Sequence, residues 1–246
     1  MPNFAANLSM LYGELEFLDR FAAAAKDGFQ GVEYLFPYAF EKEVLAEALQ
    51  VNGLKQVLHN MPCGDWDAGE RGLACLPDRV GEFQDSVGTA IDYAKTLGND
   101  QLHVMAGLRP DGIDPARLDE TYIENLRFAA AKTKEAGIKL LIEAINTIDM
   151  PGFYLSTSAQ AFAVIESVGA DNLYFQYDIY HMQIMEGDLV RTMEANLPKI
   201  AHMQLADNPG RHEPGTGEIN YPFVFESLDR MGYKGWIGCE YKPKAG

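Results

Sequence analysis

Positive charge is scarce in this chain. Its 246 residues carry 20 Lys and Arg against 36 Asp and Glu, a formal net charge of −16. A surface this acidic repels polyphosphate and lacks the basic footprint on which nucleic-acid affinity rests, so no nucleic-acid partner is expected. Cysteine is sparse as well. Cys63, Cys75 and Cys239 are odd in number and have no C-x-x-C spacing, which argues against a disulfide framework and a structural zinc knuckle and leaves small buried thiols. No apolar run approaches membrane-spanning length, and the segment from Met1 to Leu8 has no basic leader. No membrane association and a cytoplasmic location follow as expectations. Linkers, low-complexity tracts and composition steps are missing too, so residues 1–246 are expected to form a single domain.

What is present is ordinary globular material, 47% hydrophobic and 23% charged, arranged in an alternation. Apolar runs suited to strands lie at Phe4–Ser9, Val32–Phe36, Leu54–His59, Gln101–Ala106, Lys139–Ile145, Leu173–Asp178, Ala201–Ala206 and Trp236–Tyr241. Helical patterns fall between them at Glu14–Lys26, Glu41–Gln50, Arg79–Thr96, Arg117–Glu135, Ser158–Ser167, Asp188–Asn196 and Pro222–Arg230. Glycines 28, 53, 98, 137, 169 and 232 stand where helices stop, and Thr157 with its serine neighbours offers cap chemistry before the fifth helix. Strand, helix, strand in this rhythm predicts an α/β fold, a (β/α)8 TIM barrel whose final helix is missing, because the chain ends about five residues after the last strand. An open doubly wound sheet shares the alternation, but Asn7-Leu8-Ser9-Met10 is no glycine-rich first turn.

Four metal-capable side chains, Glu143, Asp178, Gln204 and Glu240, close the last four apolar runs. In a barrel of parallel strands the C-terminal rim is where residues distant in sequence converge, so these four are expected to share one site. The set is all oxygen, which suits a hard divalent cation such as Mg²⁺ or Mn²⁺ better than thiolate-seeking zinc. Strands five and eight lie roughly opposite each other around such a barrel. Glu143 and Glu240 are therefore the candidate acid/base pair for moving a carbon-bound proton in an α-hydroxy carbonyl compound, with the cation supporting the enediolate oxygen.

An anionic sugar-acid substrate would be repelled by the net charge at long range and has to be caught by local donors. His181, Arg211, His212 and Lys242 are the candidates. His181 follows Asp178 by three residues, whereas Arg211 and His212 sit in a Gly/Pro-rich loop of about 14 residues after strand seven, a length that on a barrel's active face usually serves binding. His59, Asn60 and His103 are further polar residues near the strand ends. Trp66, between Asp65 and Asp67, can form either a lid or a rim plug. The run Tyr34-Leu35-Phe36 suits core, cleft or subunit interface, and a homo-oligomer is one of the expected states.

The chain resembles the hydroxypyruvate isomerase family of the xylose-isomerase-like TIM barrel superfamily. The likeness runs through Phe4-Ala5-Ala6-Asn7-Leu8-Ser9, the segment from Val32 to Tyr38, Gly64-Asp65-Trp66, Glu143-Ala144-Ile145-Asn146, Asp178-Ile179-Tyr180-His181, the loop from Gly210 to Tyr221, and the segment from Gly235 to Tyr241. It implies interconversion of hydroxypyruvate and tartronate semialdehyde, with Glu143 and Glu240 as proton donor and acceptor. Related 2-oxo-tetronate isomerases share much of this rim. Ketose 3-epimerases are similar at Glu143, Asp178 and Glu240 but have histidine where Gln204 stands, which argues against an epimerase. Metal-dependent abasic-site endonucleases share the barrel, yet five histidines and a charge of −16 fit a multi-zinc DNA enzyme poorly. A sugar-acid binder without catalysis is the remaining alternative, and it would need no pair of facing glutamates.

Overall fold

A computed structural model describes residues 2–245. Eight parallel strands close into a barrel in sequence order, with β1 paired to β8. They are β1 (Asn3–Asn7), β2 (Gly31–Tyr34), β3 (Lys55–Asn60), β4 (Gln101–Val104), β5 (Lys139–Glu143), β6 (Leu173–Asp178), β7 (Ile200–Leu205) and β8 (Trp236–Cys239). Around them lie α1 (Asp19–Lys26), α2 (Lys42–Asn52), α3 (Val80–Leu97), α4 (Pro115–Glu135), α5 (Ser158–Val168), α6 (Ile179–Met185), α7 (Leu189–Asn196) and α8 (Tyr221–Met231). The expected (β/α)8 TIM barrel is what forms, and no helix follows β8 among the described residues. Among the described residues no helix is long and apolar enough to cross a membrane.

All six glycines expected at helix ends have positive φ, the backbone region in which a side chain would be strained. Thr157 caps α5, its side chain accepting from Gln160 N at 3.2 Å. Strand and helix ends shift by a few residues, and two differences from expectation are larger. The stretch from Glu14 to Leu18 forms turns rather than the start of α1, after Tyr12 takes a left-handed φ of 59°. The unforeseen helix is α6, which starts directly on Asp178 and carries His181 on its first turn.

Side chains alternate along each strand, so the sheet has two distinct surfaces. Facing outward, Val32, Leu102, Leu140, Ile142, Phe175, Met203 and Ile237 are fully or almost fully buried against Phe21, Leu45, Phe83, Leu126 and Leu228 of the helices. Burial on that scale contributes roughly 1.5–3 kcal/mol for each large side chain. Inside the barrel, Ala5, Val57, Leu58 and Leu141 form a small apolar floor beside Tyr174 and Trp236. Above it the lining turns polar, with Asn7, Glu33, His103, Gln176, His202 and Gln204 all buried.

Candidate active site

Glu143 closes β5 and Asp178 closes β6, so the pleat presents both carboxylates at the C-terminal mouth. Asp178 Oδ1 accepts from the backbone N–H of Tyr180 (2.8 Å) and His181 (3.4 Å), capping α6 and turning His181 back over the mouth. The His181 Nε2 atom then stands 3.5 Å from Asp178 Oδ2 and 3.9 Å from Glu143 Oε1. Asp178 Oδ2 and Glu143 Oε1 are both buried without a hydrogen-bond partner. The ligand atoms of Glu143, Asp178 and His181 lie within 4.8 Å of one another, a grouping that can hold a metal ion.

The protonation of His181 is set by a residue outside this trio. Asn146 Oδ1 accepts from the backbone N–H groups of Ile148 and Asp149, which points its Nδ2 at His181 Nδ1, 2.6 Å away. His181 Nδ1 must accept there, so its proton resides on Nε2 and faces the acids. Burial, and then the nearby Arg211, keep this imidazole neutral by holding its pKa well below the ordinary value.

Glu240 stands just beyond β8, and its Oε2 accepts from Arg211 Nη2 at 2.6 Å. Arg211 has a left-handed φ of 52°, a conformation costing a non-glycine residue roughly 1–2 kcal/mol. The loop that imposes it is anchored by Asp207. That buried carboxylate accepts from Gly215 N and Gly217 N on Oδ2 and from Ile219 N on Oδ1, at 2.8–3.1 Å. A Cβ at Gly217 would run into the Asn208 carbonyl, so the turn requires glycine. The guanidinium lies over the Tyr180 ring (5.2 Å), whose hydroxyl donates to Asp149.

The other expected site residues are differently placed. Gln204 is buried on β7, but its amide is engaged within the barrel, with Nε2 donating to Glu33 Oε1 (2.7 Å) and Oε1 accepting from Gln176 Nε2 (2.7 Å). Glu33 also accepts from Asn7 Nδ2 (2.9 Å) and pairs with His202 Nε2 (2.7 Å). Asn7 Nδ2 in turn reaches Glu240 Oε1 at 3.4 Å. His212 and Lys242, expected on the substrate, do not line the cavity. His212 Nδ1 bonds the carbonyl of Lys242, and Lys242 N donates to the Arg211 carbonyl, so the two fasten the loop while the Lys242 side chain is exposed. His59 faces away from the mouth, its Nδ1 3.1 Å from Asn99 Nδ2. His103 is in the site, with Nδ1 on Asn60 and Nε2 3.6 Å from Glu143 Oε2. Of the aromatic run, Tyr34 is core, Leu35 lines the cavity and Phe36 packs on Trp66.

These groups line a cavity of about 120 Å³, to which Asn60, His103, Glu143, His181, Arg211 and Glu240 contribute polar groups and Met10, Leu35, Trp66, Met105, Ile145 and Met150 apolar ones. Larger hollows, of about 820 Å³ between α3 and α4 and about 770 Å³ beside Tyr12 and Tyr241, are broader grooves that contain none of these acids. In the small cavity burial raises every acid. Glu143 is pushed well above the carboxylate range by burial and by Asp178 and Glu240. Glu240 is raised to about 8 by burial, against the pull of Arg211, and Asp178 to about 6 for the same two reasons. Arg211 loses some basicity to burial but is held above its usual pKa by Glu240, Asp178, Glu143 and Asp149.

A closed parallel barrel with an acid cluster at its C-terminal mouth has the arrangement in which TIM-barrel enzymes carry their active sites. Residues 21–246 match the xylose isomerase-like TIM barrel family, and the chain belongs to it. It is 54% identical to a 2-oxo-tetronate isomerase of Cupriavidus necator, over 100% of this chain and 95% of the relative. It is 52% identical to a hydroxypyruvate isomerase of Escherichia coli, over 99% and 95%. A crystal structure from Brucella melitensis, described as an AP endonuclease of family 2, superposes with a TM-score of 0.97 at 48% identity, over 99% of this chain and 94% of that one.

Proposed function

We propose that the protein is an isomerase that interconverts hydroxypyruvate and tartronate semialdehyde, with a four-carbon 2-oxo-tetronate as the alternative substrate. The observation that carries this reading is the pair Glu143 and Glu240, brought from the end of β5 and just beyond β8 to one small cavity that also holds a guanidinium and a histidine N–H. In the forward direction one carboxylate of the pair takes a proton from the hydroxymethyl carbon. The electron pair moves onto the carbonyl oxygen to give an enediolate, and the other carboxyl group delivers a proton to the former carbonyl carbon. The hydroxyl proton passes from one oxygen to the other as the aldehyde forms, a transfer the His181 Nε2–H is positioned to assist. A pair that shares one proton is what this division needs, and the raised pKa values of Glu143 and Glu240 favour retention of one near neutral pH. Arg211 suits the substrate carboxylate, and against a net charge of −16 it is a local attraction for an anion at the site.

The unpartnered buried oxygens of Glu143 and Asp178 fit a hard divalent cation, Mg²⁺ or Mn²⁺, which these two carboxylates would hold, whereas Gln204, expected among the ligands, is turned to Glu33 and Gln176, and Glu240 is paired with Arg211. Such an ion would supply Lewis-acid support for the enediolate charge. His181, with its proton on Nε2, serves as a donor in this scheme and the carboxylates as ligands. Nuclease chemistry is disfavoured, because His181 alone of the five histidines belongs to a metal-capable group among the described residues. The decisive measurement is isomerisation in D₂O with saturating Mg²⁺ or Mn²⁺. Deuterium should enter the carbon that receives the proton, and the absence of both label and aldehyde would overturn the proposal.

A further inference from the structure

We infer that Trp66 sets substrate length, closing the cavity so that it takes three- and four-carbon 2-oxo acids and rejects five-carbon and longer ones; this rests on the isomerase reading above. Beside the groups that carry the chemistry, the cavity is lined by Met10, Leu35, Trp66, Met105, Ile145 and Met150. A longer sugar acid would press its extra hydroxyls against these apolar side chains, where they would lose water and find no partner. Extra length also meets an indole that has little freedom to move. The Arg71 guanidinium lies 3.8 Å from its ring centroid and Phe36 packs at 5.3 Å, while Arg71 Nη1 also donates to the carbonyls of Trp66 (2.8 Å) and Glu70 (2.7 Å). Glu70 fastens the base of the loop, accepting from Asp65 N (2.6 Å) and pairing with Arg79 (2.6 Å). The turn closes at Gly64, φ 88°, where a Cβ would run into the Glu70 carboxylate. Arg79 is itself clamped by Glu82, so the loop is tied to α3 at its far end. The indole is thus a fixed wall.

The chain has two tryptophans, so Trp236→Phe, away from the cavity, leaves Trp66 as the sole indole reporter. Hydroxypyruvate, 2-oxo-tetronate and 2-oxo-pentonate are titrated against its emission with Mg²⁺ present, and kcat/KM is measured for each. The first two should perturb Trp66 emission at concentrations about tenfold or more below the third, in keeping with the discrimination an apolar pocket achieves. Trp66→Ala should raise the ratio of kcat/KM for 2-oxo-pentonate over hydroxypyruvate by about tenfold, and Trp66→Phe by less. Should the alanine variant not fold by circular dichroism, Trp66→Leu takes its place. A ratio within twofold of wild type, or equal perturbation by all three acids, overturns the inference. Length-selective binding with no turnover of any acid would leave the wall standing and remove the isomerase reading.

Discussion

Along β5, Leu140 and Ile142 point out to the helices while Leu141 and Glu143 point into the barrel, and the two directions follow different physics. The outward face is a continuous apolar layer in which each side chain adds transfer and packing energy. The inward face has only a thin apolar floor, above which Glu33, His202, Gln204, Gln176 and Asn7 bond to one another and Glu240 pairs with the Arg211 guanidinium. Removing charge from water there costs stability, and the mouth retains orphaned carboxylate oxygens. The contrast teaches that the outer layer holds the barrel shut while the inner one spends part of that stability on a site poised for cations and protons.

The sharpest division is between turnover and folding. Glu143→Gln should lower kcat by roughly 10²–10⁴-fold while hydroxypyruvate still binds, since general acid–base groups contribute on that scale; near-wild-type turnover would remove Glu143 from the chemistry. Leu140→Ala on the opposite face should cost about 2–5 kcal/mol in urea melts yet leave kcat per folded molecule unchanged. Glu33→Gln tests whether the inner network is structural as well. The variant replaces an acceptor of three donors by an amide that suits only some of them. A loss of about 1–3 kcal/mol is expected, with kcat lowered less than by Glu143→Gln, and a stable, fully active variant would break the contrast.

The smallest effect is a pH dependence. Folded-state pKa values raised above the ordinary carboxylate value, to about 6 for Asp178, about 8 for Glu240 and well above for Glu143, mean that the fold prefers these acids protonated. Their contribution is fully present below the unfolded value of about 4 and is lost as pH rises through the folded ones. In cation-free buffer the thermal midpoint of Glu143→Gln should therefore exceed that of wild type by a margin that grows from pH 5 to pH 8, and Mg²⁺ should shrink the margin at pH 8. A constant margin would show that the acids are not strained by burial.

Much of the barrel was legible because strands covered on both faces are nearly continuous apolar runs, and because glycines mark the helix ends. Helix α6 was not, since Ile179–Met185 follows a strand without a break and has no polar face to give it a period. Glu143, Asp178, Glu240, His181 and Arg211 were visible as polar residues at strand ends or in the long loop, and the structure brings them together. His212 and Lys242 shared that loop and that end but turn to each other, a distinction of backbone direction that residue type does not encode. Asn146, Asp149 and Asp207 act through turns whose geometry spacing does not reveal. Glu33 did carry a signal. An acid inside the buried run Gly31-Val32-Glu33-Tyr34 is as anomalous as Glu143, and Gly238 opposite it is the space its carboxylate fills.

Asp178 divides its labour between its two oxygens, Oδ1 starting a helix and Oδ2 facing the mouth. The aim of the His181 ring is thereby geared to whatever draws on that carboxylate: an occupant that tugs the free oxygen also leans on the first turn that carries the imidazole. Asparagine at this position would disengage the gears, keeping the helix start while discarding the charge.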